Sequence, residues 1–462
     1  MAIRSNHEDS GGLAVAATVL VGALLLAGCS AGANANAPGP SGSSWATSNP
    51  ANAKGSITFW AWGDNQDVAN TEVAAFNKTY PNVKVNFRVI TYSDYAKSLS
   101  AALASGKGPD VYNLEPLMAS QFGPLSEDLT PLIAHVVGKN WKDTVSKPAV
   151  AEMTNSGKLV GAPNSLTGGG TIIVNTGLLE ALGLKWPTNI TSVDGLSAFC
   201  KQVLAKGKGC IGIGAKDEWV SQDVFQSIAD SIKPGVYSDA VAGKVSWTDQ
   251  TLVRALDIWK SLFTDGVFQA GALGMPMYPD TDAMWQKGDV VASALGTWSA
   301  MNFVKDSSIQ NQTGAGVSKP TAIKSFVTSF PAVGGNEVKI FASVGSGTAL
   351  NQTSKNKEAA AAWINWYSIS PSGQQKDSAD TLVGIPPIPN VKIEPKGLAY
   401  PDFANPSIEF ISKGVAAASE TRSIPYPDLV TALGNALQKM ASGSDSKTVA
   451  KQLDKDSKAV SR

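Results

Sequence analysis

Histidine and cysteine are scarce in this chain of 462 residues, which contains two histidines and three cysteines. One histidine, His7, lies in the first ten residues, so a Ser-His-Asp triad would have to use His135. His135 lies in the apolar stretch LTPLIAHVV, where a structural role is favoured. The few histidines and cysteines also argue against a Cys/His zinc cluster. The composition therefore predicts no catalytic residues of this kind and no metal site.

Net charge is also absent, because 38 basic residues balance 38 acidic ones. The sequence has no cluster of Lys and Arg that could neutralise a phosphate backbone, which argues against a nucleic-acid partner. Hydrophobic residues make up 43% of the chain and charged residues 16%, which is enough apolar content for large cores. The length favours two or three domains.

Only one apolar run is long, residues 12–29 (GLAVAATVLVGALLLAGC), and it is shorter than the roughly 20 residues of a membrane-spanning helix. Its last four residues resemble the lipobox of bacterial lipoproteins, in which the cysteine carries lipid and becomes the new N-terminus. The resemblance implies a signal peptide at 1–28, lipidation of Cys29, export, and a lipid anchor at the outer side of the cell membrane. An uncleaved N-terminal anchor is the alternative.

Residues 29–54 consist mostly of Ser, Ala, Gly, Asn and Pro, with Trp45 as the one large apolar residue. Such a segment buries little surface, so it is expected to be a lipidated, flexible linker. If Cys29 carries lipid, Cys200 and Cys210 remain as an even pair in an oxidising compartment. A disulfide between them is favoured over two free thiols.

Strand and helix patterns alternate through the rest of the chain. Residues 57–62 (ITFWAW) and 83–90 (VKVNFRVI) read as strands, and apolar residues at helical spacing follow each of them. A third strand is predicted at 110–114, and strand, helix and strand patterns recur between 171 and 214. This order predicts an α/β fold with parallel strands and helices on the sheet faces.

Several segments in order along residues 56–445 resemble the extracellular solute-binding proteins of ABC importers, the family 1 group that includes maltodextrin-binding proteins. They include ITFWAWGDNQD, ALASGKGPDVYNLE, LVGAPNSLTGGGTIIVNTGLLEALGL and MWQKGDVVASALGTWSA. The resemblance implies two α/β lobes with a ligand cleft between them. One lobe would comprise 55–167 plus 324–370, and the other 171–318 plus 374–462. It also implies an ABC permease as partner, a monomeric state and no cofactor.

Tryptophans beside short polar residues at strand ends suit a sugar cleft, because sugar rings stack on indole and their hydroxyls bond to amides and carboxylates. The alternative is that these tryptophans belong to the core. By position in the family, the ligand-facing residues would be Trp60, Trp62, Asp64, Asn65, Asn113, Glu115, Glu218, Trp219 and Trp298.

The function implied is capture of a sugar or oligosaccharide by lobe closure and its delivery to the permease, without catalysis. A surface glycoside hydrolase or lyase with similar aromatic residues is one alternative. A receptor for another small solute, such as a polyol or phosphate ester, is another. Fewer than two arginines or lysines in the cleft would argue against an anionic ligand.

Overall fold

The computed structural model describes residues 44–62, 66–371, 373, 381–388 and 391–461. Within these ranges the buried apolar side chains form two cores. One core draws its buried residues from 45–162 and 344–369, and it surrounds a five-stranded sheet. The other draws them from 172–340 and 382–453, around a four-stranded sheet. The predicted two-lobed α/β fold is confirmed, and we call these parts the first and second lobe.

The strands are, in chain order, β1 Gly55–Trp62, β2 Val83–Ile90, β3 Val111–Leu114, β4 Thr154–Asn155, β5 Lys158–Leu159, β6 Ala162–Gly169, β7 Thr171–Asn175, β8 Gly209–Gly212, β9 Val290–Ser293, β10 Ser325–Ser329 and β11 Phe341–Leu350. The first sheet has the order β2-β1-β3-β11-β6, with β1 parallel to β2 and β3. The second has the order β10-β7-β9-β8, with β8 parallel to β9. The carboxyl ends of β1, β2 and β3 therefore meet at one edge of the first sheet, and those of β8 and β9 at one edge of the second.

The α-helices are, in chain order, α1 Ser44–Thr47, α2 Gln66–Thr79, α3 Tyr92–Ala104, α4 Pro116–Phe122, α5 Thr130–Val137, α6 Trp141–Thr144, α7 Lys147–Glu152, α8 Thr176–Ala181, α9 Val193–Leu204, α10 Glu218–Ile232, α11 Val236–Val241, α12 Gln250–Thr264, α13 Asp282–Gln286, α14 Lys305–Gly314, α15 Lys357–Ile364, α16 Pro401–Ala417, α17 Pro427–Ala441 and α18 Ser446–Ala459. Shorter 3-10 or π-helical turns lie at Pro50–Asn52, Gly123–Leu125, Ala272–Gly274, Met277–Thr281, Thr297–Phe303 and Asn365–Ile369. Of the helices described, none has both the length and the apolarity needed to cross a bilayer.

Strand β1 shows how the sequence sets the faces of the first sheet. Side chains alternate between the two faces of a strand. Phe59 and Ala61 are buried, whereas Trp60 and Trp62 are half-buried on the opposite face. The ring of Phe59 packs against Trp363 with centroids 5.3 Å apart. The two tryptophans of the ITFWAW motif thus lie on the same face of the first sheet, opposite Phe59 and Ala61.

The segment before β1 differs from its prediction as a flexible linker. Residues 44–54 contain two short helical turns, and the side chain of Trp45 is 8% exposed within the first core. Burial of a large indole offsets the entropy lost by ordering a few residues. The linker prediction is therefore wrong for 44–54. The remainder of that linker, Cys29 and the predicted signal peptide lie outside the described residues.

Residues 325–340 were expected in the first lobe but lie in the second. Strand β10 pairs antiparallel with β7, and Phe330 and Val338 belong to the second core. The chain returns to the first sheet only with β11, which pairs with β3 and β6.

Cys200 of α9 and Cys210 of β8 form a disulfide, with their Cα atoms 5.2 Å apart. Both cysteines are fully buried in the second core. The bond joins a helix directly to the strand that follows it.

Candidate functional site

Side chains at the carboxyl ends of β1, β2 and β3 form the first lobe's part of the site. Trp62 ends β1, Tyr92 begins α3 just after β2, and Glu115 precedes α4 just after β3. The rings of Trp62 and Tyr92 meet edge to face, with centroids 6.1 Å apart. The Tyr92 hydroxyl donates a hydrogen bond of 2.9 Å to Glu115 Oε2. The parallel strands thus bring two aromatic rings and a carboxylate together.

Three aromatic side chains form the second lobe's part. Trp219 lies in the first turn of α10, Trp298 lies in the 3-10 turn that follows β9, and Tyr278 lies between them in the chain. The rings of Trp219 and Trp298 are 5.7 Å apart, and Trp219 stacks on Tyr278 at 6.4 Å. Trp298 Nε1 donates to the Tyr278 hydroxyl at 2.9 Å. A Cβ on Gly296 would stand 2.0 Å from the Trp298 ring, which explains why a glycine stands two positions before this tryptophan.

The two sets of rings touch across the lobes. Tyr92 meets Trp219 edge to face, with centroids 5.9 Å apart. We refer to Trp62, Tyr92, Trp219, Tyr278 and Trp298 as the ring cluster. The indole N–H of Trp219 is buried and has no hydrogen-bond partner among the described residues. The ring cluster thus brings aromatic side chains of the two lobes into direct contact.

A buried ion pair borders the ring cluster on the second lobe. Arg422 Nε lies 2.7 and 3.0 Å from the two carboxylate oxygens of Asp223, and both side chains are 14% exposed. The guanidinium carbon lies 4.8 Å from the centre of the Trp298 ring and 5.4 Å from that of Trp219. The planar, charged group thus contacts two tryptophan rings and a carboxylate at once.

The two residues before Arg422, Glu420 and Thr421, form hydrogen bonds with the first lobe. Thr421 donates from its hydroxyl to Glu152 Oε1 of the first lobe at 2.7 Å. The Glu420 carbonyl accepts a hydrogen bond from the Ala342 amide of β11 at 3.0 Å. Residues 420–422 therefore connect the lobes next to the ring cluster.

Burial and nearby charges have opposite effects on the pKa values of this site. Burial raises the pKa of Glu115, and the positive charge of Arg422 and the Tyr92 hydroxyl partly counteract it. Burial likewise raises the pKa of Asp223, and Arg422 counteracts it. Burial alone would lower the pKa of Arg422, but the carboxylates of Asp223 and Glu115 outweigh it, so the net change is a rise. Arg422 therefore keeps its charge and interacts with acidic groups of both lobes.

The structure brings together four of the residues predicted from the sequence, Trp62, Glu115, Trp219 and Trp298. The other described candidates lie elsewhere. Trp60 lies beside Arg88 of the adjacent strand, whose guanidinium carbon is 4.8 Å from the ring centre. Asp64 and Asn65 are outside the described residues.

Two further candidates have structural contacts of their own. Asn113 is 4% exposed, and its side-chain oxygen accepts a hydrogen bond of 3.1 Å from Thr348 within the first sheet. Glu218 lies against α17, where a Cβ on Gly434 would stand 2.7 Å from its Cγ. Its neighbour Asp217 accepts a hydrogen bond of 2.8 Å from the Met277 amide, next to Tyr278. The side chains of Asp217 and Glu218 thus lie against different parts of the second lobe.

Sequence reasoning did not identify Tyr92, Tyr278, Asp223 and Arg422 as site residues. Tyr92 directly follows a predicted strand, which is a signal that could have found it. Arg422 lies in a polar loop and Asp223 in the middle of a helix, 199 positions apart in the chain. No local pattern connects these two residues, because the fold alone brings them into contact.

A cavity of about 500 Å³ lies between the lobes, and its lining includes no residue of the ring cluster. Thr71 and Glu72 of α2 line it from the first lobe, and Lys305 and Asp306 of α14 from the second. We base the candidate site on the ring cluster because its members come from both sheets' strand ends. In the part of the chain that is described, no group of three or more His, Cys, Asp and Glu side chains could hold a metal ion.

The family model for bacterial extracellular solute-binding proteins matches residues 72–405, which is most of the chain. The chain therefore belongs to the bacterial extracellular solute-binding proteins, a family of binding proteins. No curated protein matches it by sequence.

Solved structures of similar fold include maltose-bound MalE3 of T. maritima, with a TM-score of 0.69, 20% identity, and coverage of 87% of this chain and 99% of that one. The GacH receptor of Streptomyces glaucescens has a TM-score of 0.67 and 17% identity, over 87% of this chain and 97% of that one. An ABC substrate-binding protein of Listeria monocytogenes in complex with cycloalternan has a TM-score of 0.66 and 19% identity, over 87% and 98%. At such identities the similarity establishes the two-lobed fold.

Proposed function

We propose that this protein is the solute receptor of an ABC importer and that its solute is a sugar or oligosaccharide. The observation that carries the proposal is the ring cluster, to which both lobes contribute. Aromatic faces of this kind stack on the C–H faces of sugar rings. A solute held between Tyr92 of the first lobe and Trp219 of the second would contact both lobes, so its binding would favour closure.

Polar groups at the cluster match the hydroxyls of a sugar. Glu115 and Asp217 offer carboxylate oxygens as acceptors, and the N–H of Trp219 is a donor without a partner among the described residues. Arg422 is the one cationic side chain over the rings of the cluster within the described ranges, and it is already paired with Asp223. A single, paired arginine argues against an anionic solute such as a phosphate ester.

The proteins of similar fold support the same class of solute. Maltose, acarbose and cycloalternan are the ligands named for the MalE3, GacH and Listeria structures. We further propose that residues 1–28 are removed, that Cys29 carries lipid, and that the folded part delivers its sugar to a permease at the outer face of the cell membrane. The lipobox-like end of the apolar run supports this anchor.

Thermal unfolding of residues 30–462 with a sugar library tests the proposed function. A ligand that binds only the folded state raises the melting temperature, by an amount that grows with its concentration. We expect at least one mono- or oligosaccharide to do so, and sugar phosphates to have no effect. A rise with non-sugar solutes alone would contradict the proposal.

A matched pair of variants shows whether the rise in melting temperature comes from binding at the ring cluster. In Trp219→Ala the rise should disappear, whereas in Trp186→Ala it should persist, because Trp186 packs on Phe199 away from the cluster. Release of reducing sugar by the purified protein, lost in Glu115→Gln, would instead indicate a glycoside hydrolase.

A further inference from the structure

Glu115 and Arg422 attract each other across the two lobes. Glu115 belongs to the first lobe, and the positive charge of Arg422 in the second is the largest effect that offsets its burial. Glu115 has one hydrogen bond from a described residue, donated by the Tyr92 hydroxyl to Oε2. With the lobes together and no solute bound, the charge of Glu115 is partly compensated from the opposite lobe.

Separation of the lobes would affect the charges of Arg422 and Glu115 unequally. Arg422 keeps Asp223, because both residues belong to the second lobe and their atoms lie 2.7 Å apart. Among the described residues, Glu115 keeps only the neutral hydroxyl of Tyr92 as a hydrogen-bond donor to its carboxylate. A solute that parts the rings of Tyr92 and Trp219 would lie near Glu115, which Tyr92 holds, and near Arg422, which lies over Trp219. A positively charged solute would replace Arg422 as the charged partner of Glu115, whereas a neutral solute could offer this carboxylate hydroxyl donors only.

The surroundings of Glu115 suit a positive group. Its hydrogen-bond partner Tyr92 touches the rings of Trp62 and Trp219, and aromatic faces attract cations. Arg422 itself lies over two tryptophan rings, which shows that this cluster accommodates a cation. The charge of Asp223 acts on Glu115 and that of Asp217 acts on Tyr92, so both acids of the second lobe add negative potential here. The exposed Lys216 lies beside Asp217 and counteracts part of its charge.

We infer that the solute is a sugar that carries a protonated amine, bound with its ammonium group against Glu115 and between the rings of Tyr92 and Trp219. This inference rests on the proposed function and narrows it. A sugar ammonium would donate hydrogen bonds to the carboxylate and bring the positive charge that Arg422 supplies in the empty, closed form. A neutral sugar offers only hydroxyl donors there.

Matched pairs of sugars test the inference. We would titrate glucosamine against glucose, galactosamine against galactose, and β-1,4-linked glucosamine oligomers against cello-oligosaccharides at about pH 6, using residues 30–462. We expect the amino member of the pair that binds to have a dissociation constant at least tenfold lower. Equal or tighter binding of the neutral member would overturn the inference and leave the proposed sugar receptor standing. Binding of no sugar in this set or in the library would overturn both.

Glu115→Gln and a change of pH show where the preference arises. In Glu115→Gln the two members of a sugar pair should have about equal dissociation constants. In Glu358→Gln, which removes an exposed acid of the first lobe outside the cluster, the preference for the amino sugar should persist. If Glu115→Gln does not fold, the wild-type protein gives the same answer at about pH 9.5, where the amine is neutral. A preference that persists without the charge on either partner would refute the inference.

Discussion

Replacement of Trp298 by alanine removes a second-lobe ring that contacts Trp219, Tyr278 and Arg422. Its centroid lies 5.7 Å from that of Trp219 and its Nε1 bonds to Tyr278, while the guanidinium of Arg422 lies 4.8 Å from the ring. A solute stacked on this ring would lose a large apolar face. Losses of this kind at the centre of an interface cost about 2–4 kcal/mol. We therefore expect sugar affinity to fall roughly 30- to 1000-fold.

The effect of Trp298→Ala on stability should be smaller than a full core deletion, because Trp298 is half-buried. The lost hydrogen bond is worth about 1 kcal/mol and the lost cation–π contact about 1 kcal/mol. We expect the free energy of unfolding to fall by about 2–3 kcal/mol, so the variant stays folded at 25 °C. Trp186→Ala is the matched control, since it deletes a half-buried indole of the same lobe that packs on Phe199 instead.

Calorimetric titration of the sugar into both variants, together with their thermal unfolding curves, separates the two effects. Trp298→Ala should lose binding and keep most of its stability, whereas Trp186→Ala should keep its affinity. A folded Trp298→Ala protein with wild-type affinity would show that Trp298 is not part of the binding site. Equal losses of affinity in both variants would show that binding depends on the stability of the lobe rather than on this ring.

Three other predictions concern regions outside the ring cluster. Burial, together with the charge of Glu420, raises the pKa of Asp230 to about 7, so the folded protein holds a proton that the unfolded chain releases near pH 4. The free energy of unfolding should therefore fall as the pH rises from about 4 to about 7. Thermal melts of Asp230→Asn should show less of this decline, and an unchanged decline would contradict it. Mass spectrometry of non-reduced peptides should find Cys200 joined to Cys210, a bond worth about 2–4 kcal/mol, and two alkylatable thiols in freshly isolated protein would contradict this. Cys29→Ala should abolish labelling by radioactive palmitate, and unchanged labelling would exclude Cys29 as the lipid site.

Local patterns in the sequence predict the elements of this fold well. The strand predicted at 83–90 has these bounds in the structure, and the strand predicted at 57–62 ends at the same residue as β1. Alternation and helical spacing are properties of short segments, so one segment is enough to reveal them. The linker prediction for residues 44–54 is wrong because it depends on a contact with a distant part of the chain, which a local pattern does not reveal. The composition of this segment is typical of a linker, but one indole, Trp45, finds space in the first core.

The candidate site was only partly predictable, because it depends on contacts between distant segments. Trp62 and Trp298 could be proposed from strand ends and from the resemblance to a family. That Trp60 lies instead beside Arg88 follows from the pairing of β1 with β2, in which the two residues are register partners. Arg422 and its partner Asp223 gave no local signal, although their ion pair is the main charged contact of the ring cluster.

The central claim is that a sugar binds between the lobes through aromatic rings of both. The most direct test is calorimetric titration of the best-stabilising sugar into the wild-type protein, Trp62→Ala and Trp219→Ala, which remove one ring from each lobe. The claim predicts that each variant stays folded and binds the sugar at least 30-fold more weakly than the wild type. Wild-type affinity in either folded variant would contradict it, because the sugar would then not be held by that lobe's part of the ring cluster.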